Sequence, residues 1–229
     1  MYKVNFYTGD YHDRQQKANE DNCLCYVEQH FNSSANPDAG YSVVITGANA
    51  SQTSKNWGRW YAQAVAREFN LRLGGDQGIM VGGYDGRGDY NLRYTRMPAI
   101  LLEPLFASNP QHAQWIHSEA GQHSLASILK ESIERFFQDP GTIAFSVGHK
   151  YKASKPKDRG ASVYGGGTEA DYAEAVLNKA AQLLSTAAGL NRDRTIQVVQ
   201  NGETLWSFQT DPDDQINWDP VRGILSIRQ

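Results

Sequence analysis

Residues 142–184 constrain this chain's fold more than any other stretch. An apolar run, Ile143 to Val147, has the length and composition of a buried strand and stops at Gly148-His149. A polar, glycine-rich loop runs from Lys150 to Gly167, and Thr168 is positioned to cap a helix starting at Glu169. Tyr172, Ala173, Val176, Leu177, Ala180, Leu183 and Leu184 recur at helical spacing, so that helix has one apolar face. His149 and Glu169 thus flank one loop at the rim where open α/β sheets bind ligands. Imidazole nitrogen and carboxylate oxygen both suit zinc.

The preceding chain repeats the strand-then-helix alternation. Residues 2–8 read as a strand, 14–20 as a short helix and 23–31 as a second strand running into His30. Tyr41 to Thr46 is a β-branched run, and Trp57, Trp60, Tyr61, Ala64, Val65 and Phe69 mark an amphipathic helix. Gly74 to Asp89 reads as a long ligand-covering loop, and Tyr90 to Tyr94 as strand-like. Ala99 to Leu102 is a strand ending at Glu103-Pro104, and Leu125 to Phe137 carries a further helical pattern. Asp139-Pro140-Gly141 is a turn. Such alternation predicts an α/β fold: a largely parallel open sheet with helices on both faces. In a parallel sheet the strand ends share one edge, so His30, Glu103 and His149 should meet there with Glu169.

After Ser185 the pattern changes. Thr195–Gln200, Asn201-Gly202 and Glu203–Phe208 predict a hairpin with a type I′ turn, and residues 223–228 a third strand. Residues 1–190 are therefore expected to form one domain. Residues 191–229 form a small antiparallel β-rich tail, which can add wall contacts or cover a sheet edge; NGETLW within it faintly resembles the opening of a LysM wall-binding repeat.

A net charge of −3 implies no general attraction to nucleic acid or anionic lipid. No apolar stretch approaches the ~20 residues of a membrane span. The opening residues MYKVNFYTGDYHDR contain no signal-peptide core. Cys23 and Cys25, two apart in one predicted strand, read as plain buried thiols. His12, His112, His117 and His123 fit no ligand position and read as surface groups. The run Lys150, Lys152, Lys155, Lys157 and Arg159 reads as a solvated loop or a lip for a carboxylate-bearing peptide.

Four segments resemble the zinc-dependent N-acetylmuramoyl-L-alanine amidases of the Amidase_3 family. FSVGH at 145–149 is similar to the family's first metal-histidine segment, and DRGASVYGGGTEADY at 158–172 to the approach to its metal glutamate. RQQKANEDNCLCYVEQHFNSS at 14–34 is similar to the R…AN…HxNS segment, and MPAILLEPLFASNP at 97–110 to the strand carrying the catalytic glutamate. The resemblance spans roughly residues 2–186. It implies a zinc ion (Zn2+) on His30, His149 and Glu169, Glu103 as catalytic base, and Asn32 and Ser33 as neighbouring or substrate contacts. The implied substrate is peptidoglycan or a muropeptide, cleaved between N-acetylmuramic acid and L-alanine. A zinc peptidase acting within the stem peptide, or a silent wall-binding module, are the alternatives.

The segment order departs from the family. Here it is His30, Glu103, His149, Glu169, the family cycle started elsewhere, so the chain looks circularly permuted, with 142–186 resembling the family's first strand and helix. Exposed, neighbouring termini make such rearrangement tolerable. Glu28, two residues before His30 on the same strand face, is either an orienting partner or a rival ligand. A phage lysin that stays cytoplasmic until membrane holes release it to the cell wall, or a cytoplasmic recycling enzyme, would suit these features.

Overall fold

Continuous apolar runs make strands that need cover on both faces, and the chain supplies it. The computed structural model describes residues 2–186 and, beyond them, the backbone of four strands within 194–228. The chain divides into two compact units, 1–187 and 188–229.

In the first unit the order is β1 (Tyr2–Phe6), α1 (Tyr11–Glu20), β2 (Cys25–Gln29), β3 (Val43–Thr46), α2 (Gln52–Glu68), β4 (Ile79–Val81), β5 (Gly83–Tyr84), β6 (Arg87–Gly88), β7 (Ala99–Glu103), α3 (Pro110–His117), α4 (Glu119–Phe136), β8 (Gly141–Val147) and α5 (Glu169–Thr186). Six strands form one sheet in the order β1-β8-β2-β7-β3-β4. Pairing is parallel except between β3 and β7. The strand latest in sequence, β8, thus lies between the two earliest, β1 and β2.

Strand alternation divides the core. Val27, Ile100, Leu102, Ile143 and Phe145 point to the face covered by α2, α4 and α5, where Trp57, Leu129 and Val176 are fully buried. Trp57 also donates from Nε1 to Ser132 Oγ at 2.9 Å, which satisfies its one polar atom. Tyr26, Leu101 and Ala144 point to the other face, beneath Ala18 of α1 and Leu92. Glu28 and Ser146 share that second face by the same period of two. This matches the α/β fold read from the sequence.

Four details differ. Gly74 to Asp89 is not one loop: it contains β4 and the β5–β6 hairpin. Tyr90 to Tyr94 is not a strand, because a 3₁₀ turn over Asp89–Asn91 aims Asn91 inward. Helix α3 was not anticipated; Asn109 caps it through its side chain and Pro110 opens it. Cys23 precedes β2 rather than belonging to it, and both cysteines are buried free thiols.

In the second unit, β9 (Arg194–Gln200) pairs antiparallel with β10 (Glu203–Thr210), opening on Glu203 opposite Gln200. β11 (Gln215–Asp219) pairs antiparallel with β12 (Ile224–Arg228). The type I′ turn expected at Asn201-Gly202 lies outside the described residues.

His112, expected at the surface, is 3% exposed. Its Nδ1 accepts from the Phe106 N–H at 2.9 Å, which requires a neutral ring. Burial lowers its pKa to about 4. Between the unfolded value of about 6.5 and that value, the unfolded chain binds a proton that the folded chain refuses. This contribution to stability is therefore intact above pH ~6.5 and is lost as pH falls towards 4, on the order of 3 kcal/mol in all. His112→Asn is expected to flatten this part of the acid slope, read as the difference between wild-type and variant urea midpoints across that pH range. Equal slopes would refute it.

Candidate active site

The parallel register brings three strand ends to one edge. Gln29 pairs with Leu102 of β7 and with Val147 of β8, so His30, Glu103 and His149 leave the sheet together. Glu169 arrives from the first turn of α5. Thr168 accepts from the Asp171 N–H and donates from Oγ1 to Asp171 Oδ2, capping that helix as expected.

Suitable donor atoms of His30, His149 and Glu169 lie within 4.8 Å of one another. His30 Nδ1 is 2.8 Å and His149 Nε2 3.4 Å from Glu169 Oε1. The two rings meet edge to face with centroids 4.9 Å apart. Glu169 is fixed by backbone: its Oε2 accepts from the Ala161 N–H and its Oε1 from that of Phe31.

Each histidine has a carboxylate behind it. Glu28 Oε1 is 2.8 Å from His30 Nε2, and Asp158 Oδ1 is 3.0 Å from His149 Nδ1. A carboxylate on one ring nitrogen fixes the proton there and turns the other nitrogen's lone pair outward, the arrangement that orients metal-binding histidines. Glu28 lies behind His30 in this arrangement. Its oxygens are taken up by His30, Tyr26, Asn91 and Ser146, on the side of His30 away from Glu169.

Backbone shape matters at two glycines. A Cβ on Gly148 would stand 2.5 Å from the His30 ring. Gly160 has φ +69°, and a Cβ there would meet Glu169 Oε2 at 2.3 Å and His149 Cδ2 at 2.7 Å. His149 itself has φ +60°, uncommon for a residue with a side chain.

Buried charge is balanced by these contacts. Burial works to lower the His30 pKa, but Glu169 and Glu28 outweigh it and raise it to about 10. Burial works to raise Glu169, yet hydrogen bonds from His149 and His30 hold it well below the usual range. Burial also works to raise Glu28, and His30, Arg14 and Asn91 bring it below its ordinary value. Glu103 differs. Burial pushes it up to about 8, with His30 opposing and Glu169 and Glu28 adding to the rise. Its buried Oε2 has no hydrogen-bond partner among the described residues.

Glu103, His30 and His149 line a cleft of 860 Å³, together with Asn32 and Ser33. Asn32 Nδ2 donates to the Tyr84 hydroxyl at 2.9 Å, and that hydroxyl is 2.9 Å from the Tyr41 hydroxyl, so Asn32 ties the β5–β6 hairpin to the cleft wall. Ser33 is exposed.

Sequence reading missed two supporting residues. Asp158 sits nine residues after His149 in a loop read for its glycines and its basic run. Arg14 is fully buried and donates to the carbonyls of Gly9 at 2.7 Å, Val147 at 2.7 Å and Lys150, and to Ser146 Oγ at 2.8 Å. Ser146 in turn donates to Glu28 at 3.0 Å, so Arg14 braces both histidines. Its only sequence signal is its position opening the R…AN segment.

The α/β sheet thus presents two histidines and two glutamates at its carboxyl edge, and three of them, His30, His149 and Glu169, could hold a metal ion. The N-acetylmuramoyl-L-alanine amidase family (Amidase_3) matches residues 2–135, more than half of the chain, and the chain belongs to that family. The matched residues include His30 and Glu103 and stop before β8. A Bacillus subtilis (strain 168) protein named "Putative N-acetylmuramoyl-L-alanine amidase YrvJ" is 33% identical over 63 residues, 28% of this chain and 11% of that protein. The catalytic domain of CwlV, an N-acetylmuramoyl-L-alanine amidase from Bacillus (Paenibacillus) polymyxa var. colistinus, is 24% identical, with 56% of this chain and 66% of that one covered and a TM-score of 0.47. An N-acetylmuramoyl-L-alanine amidase from Clostridium difficile 630 is 25% identical, with 57% and 66% covered and a TM-score of 0.48. The chain thus spans about a tenth of the curated relative and just under two thirds of these solved structures.

Removing Arg14 would leave the buried Val147 carbonyl, the partly buried Gly9 and Lys150 carbonyls, the Ser146 hydroxyl and the nearby Glu28 charge without their cation. Arg14→Ala is expected to destabilise the metal-stripped protein by about 3–5 kcal/mol. Arg14→Lys should recover little, since an ammonium lacks the planar fork that serves several acceptors at once. Urea denaturation measures both; a loss under about 1 kcal/mol for Arg14→Ala would show that the brace is dispensable.

Proposed function

We propose that this chain is a zinc-dependent N-acetylmuramoyl-L-alanine amidase, hydrolysing the amide between the lactyl group of N-acetylmuramic acid and L-alanine in peptidoglycan. The observation that carries this reading is the convergence of His30, His149 and Glu169 within 4.8 Å, beside Glu103, in a chain of this family. Two imidazoles and a carboxylate are a fitting donor set for zinc, whose bonds to such ligands are about 2.0–2.2 Å. Glu28 and Asp158 supply the outer carboxylates that such histidines require. Three protein ligands leave a position open for chemistry.

When bound, zinc supplies polarisation of the scissile carbonyl and acidifies a water molecule. The remaining work falls to the chain. Glu103 takes a proton from the attacking water and delivers it to the departing alanine nitrogen, so the C–N bond breaks to a carboxylate and a free amine. A base needs a carboxylate not already committed to other donors, and the unpaired Oε2 of Glu103 meets that requirement where Glu28 and Glu169 do not. Its position at the end of β7 holds it rigid, as proton transfer demands.

The chain also reads as a circular permutant of its family. The support is that the family match ends at residue 135 while His149 and Glu169 come from β8 and α5, and that β8 pairs with β1 on one side and β2 on the other.

For the metal, His30→Ala and His149→Ala are expected to lose stoichiometric zinc. Glu28→Gln and Asp158→Asn should retain it with affinity reduced about 10–100-fold. Competition against a chromogenic chelator measures this, and tight zinc in both alanine variants would move the site elsewhere.

For the reaction, purified zinc-loaded protein acting on cell walls should free the amino group of L-alanine. A different new amine would indicate a stem-peptide peptidase, and co-sedimentation without cleavage a wall binder. Glu103→Gln should fold, bind zinc as wild type does, and turn over ~10²–10⁴-fold more slowly. Near-normal turnover at normal zinc content would remove Glu103 from the role of base.

A further inference from the structure

The cations in and around the cleft are unevenly committed. Lys150 turns away to Asp171 and Glu174, and Arg159 donates to the carbonyls of Pro156 and Asp158. Lys152 lines the cleft, but its Nζ is held 2.8 Å from Asp158 Oδ2 and 4.4 Å from the centroid of the Tyr11 ring. Lys155 and Arg87 also line the cleft; both are exposed, and neither side chain has a hydrogen bond or ion pair with a described residue.

These two unpaired cations stand at different sides of the site. Arg87 is on the β5–β6 hairpin, which follows β4 at one end of the sheet. Lys155 is in the loop after β8, so β2 and β7, which deliver His30 and Glu103, lie between the two strands of origin. The hairpin is anchored through Tyr84 to Asn32 and Tyr41, so Arg87 projects from a fixed support. Between them the cleft is lined by Glu103, and the carboxylates of Glu28 and Glu169 are buried and committed to other donors. A ligand spanning this cleft meets a cation at either rim.

We propose that Arg87 and Lys155 bind carboxylates of an acidic peptide lying across the cleft, so that the site selects stem peptides with free carboxylates over stems whose carboxylates are amidated. This rests on the amidase reading for the identity of the scissile bond. Arg87 presents a planar fork suited to bidentate carboxylate binding, and Lys155 a compact point charge. With a net charge of −3, the chain as a whole does not attract anions, so the preference has to come from these local groups.

The probes are N-acetylmuramoyl-L-alanyl-glutamate and the analogue in which both glutamate carboxylates are amides. Each is titrated calorimetrically into the zinc-loaded full chain carrying Glu103→Gln, so that binding is read without dependence on turnover. The acid is expected to bind about tenfold tighter than the amide. Adding Arg87→Gln and Lys155→Gln together should reduce that ratio to about twofold or less, and raising the salt concentration should shrink it in the parent. Both side chains are exposed, and an unchanged thermal midpoint in the added variants checks that the fold is intact. Equal affinity for the two probes, no measurable binding of the acid, or a preference that survives loss of both cations would overturn the proposal. Failure of the amidase reading shows differently: zinc-loaded wild type would leave the muramoyl–alanine bond of the acid intact while the binding preference persisted.

Discussion

The rest of this structure depends on one buried imidazole held between two buried carboxylates. His30 touches Glu28 through Nε2 and Glu169 through Nδ1, all three nearly inaccessible to water. Charges taken out of water are tolerated only when each is paired and its remaining lone pairs are satisfied. Here satisfaction comes from far along the chain: Ser146 is 118 residues from Glu28, and Glu169 is 139 residues from His30. The centre therefore exists only once β8 has entered between β1 and β2 and α5 has docked behind it. Arg14 ties that closure down by gripping the backbone on both sides of His149. Fold and site share these contacts, so neither is complete without the other.

Much of this was legible in the chain because strand ends are legible. An apolar run that stops on a polar residue fixes where that residue leaves the sheet, and three such runs in a parallel sheet fix a common edge. His30, Glu103 and His149 could be gathered by that argument, and the helix signal at Thr168-Glu169 added the fourth residue. What stayed hidden was the partner of each polar group. His112 has no sequence mark of burial; it is inside because the Phe106 amide, six residues earlier, needs an acceptor there. Tyr90 to Tyr94 alternates like a strand, yet Glu28 needs a donor, and Asn91 supplies it from a tight turn. In both places a buried hydrogen bond made between segments overrides the local pattern.

The glycine-rich loop before α5 shows the same limit from the opposite side. Composition marks it as irregular and says nothing about which glycine matters. Gly160 is the one pressed against His149 and Glu169, and Asp158 two residues earlier is the one that orients His149. A loop that must bring its backbone against two converging side chains and also return a carboxylate to one of them has little room for larger residues there. That is a geometric demand, visible only when β8 and α5 are both in position.

Three glutamates surround this centre, and their surroundings separate them. Glu28 receives donors from four side chains and is held ionised behind His30. Glu169 receives two backbone amides and faces both imidazoles, also ionised. Glu103 comes from the same sheet edge with an oxygen that no described residue satisfies, and of the three it alone is pushed towards neutrality. Identical side chains driven to opposite protonation behaviour within one cleft are how acid–base roles become divided. The division follows from partner count and not from distance along the chain, and it holds whatever order the segments arrive in. A fold whose strand ends meet at one edge can therefore begin its chain at a different strand, provided each carboxylate meets the same donors.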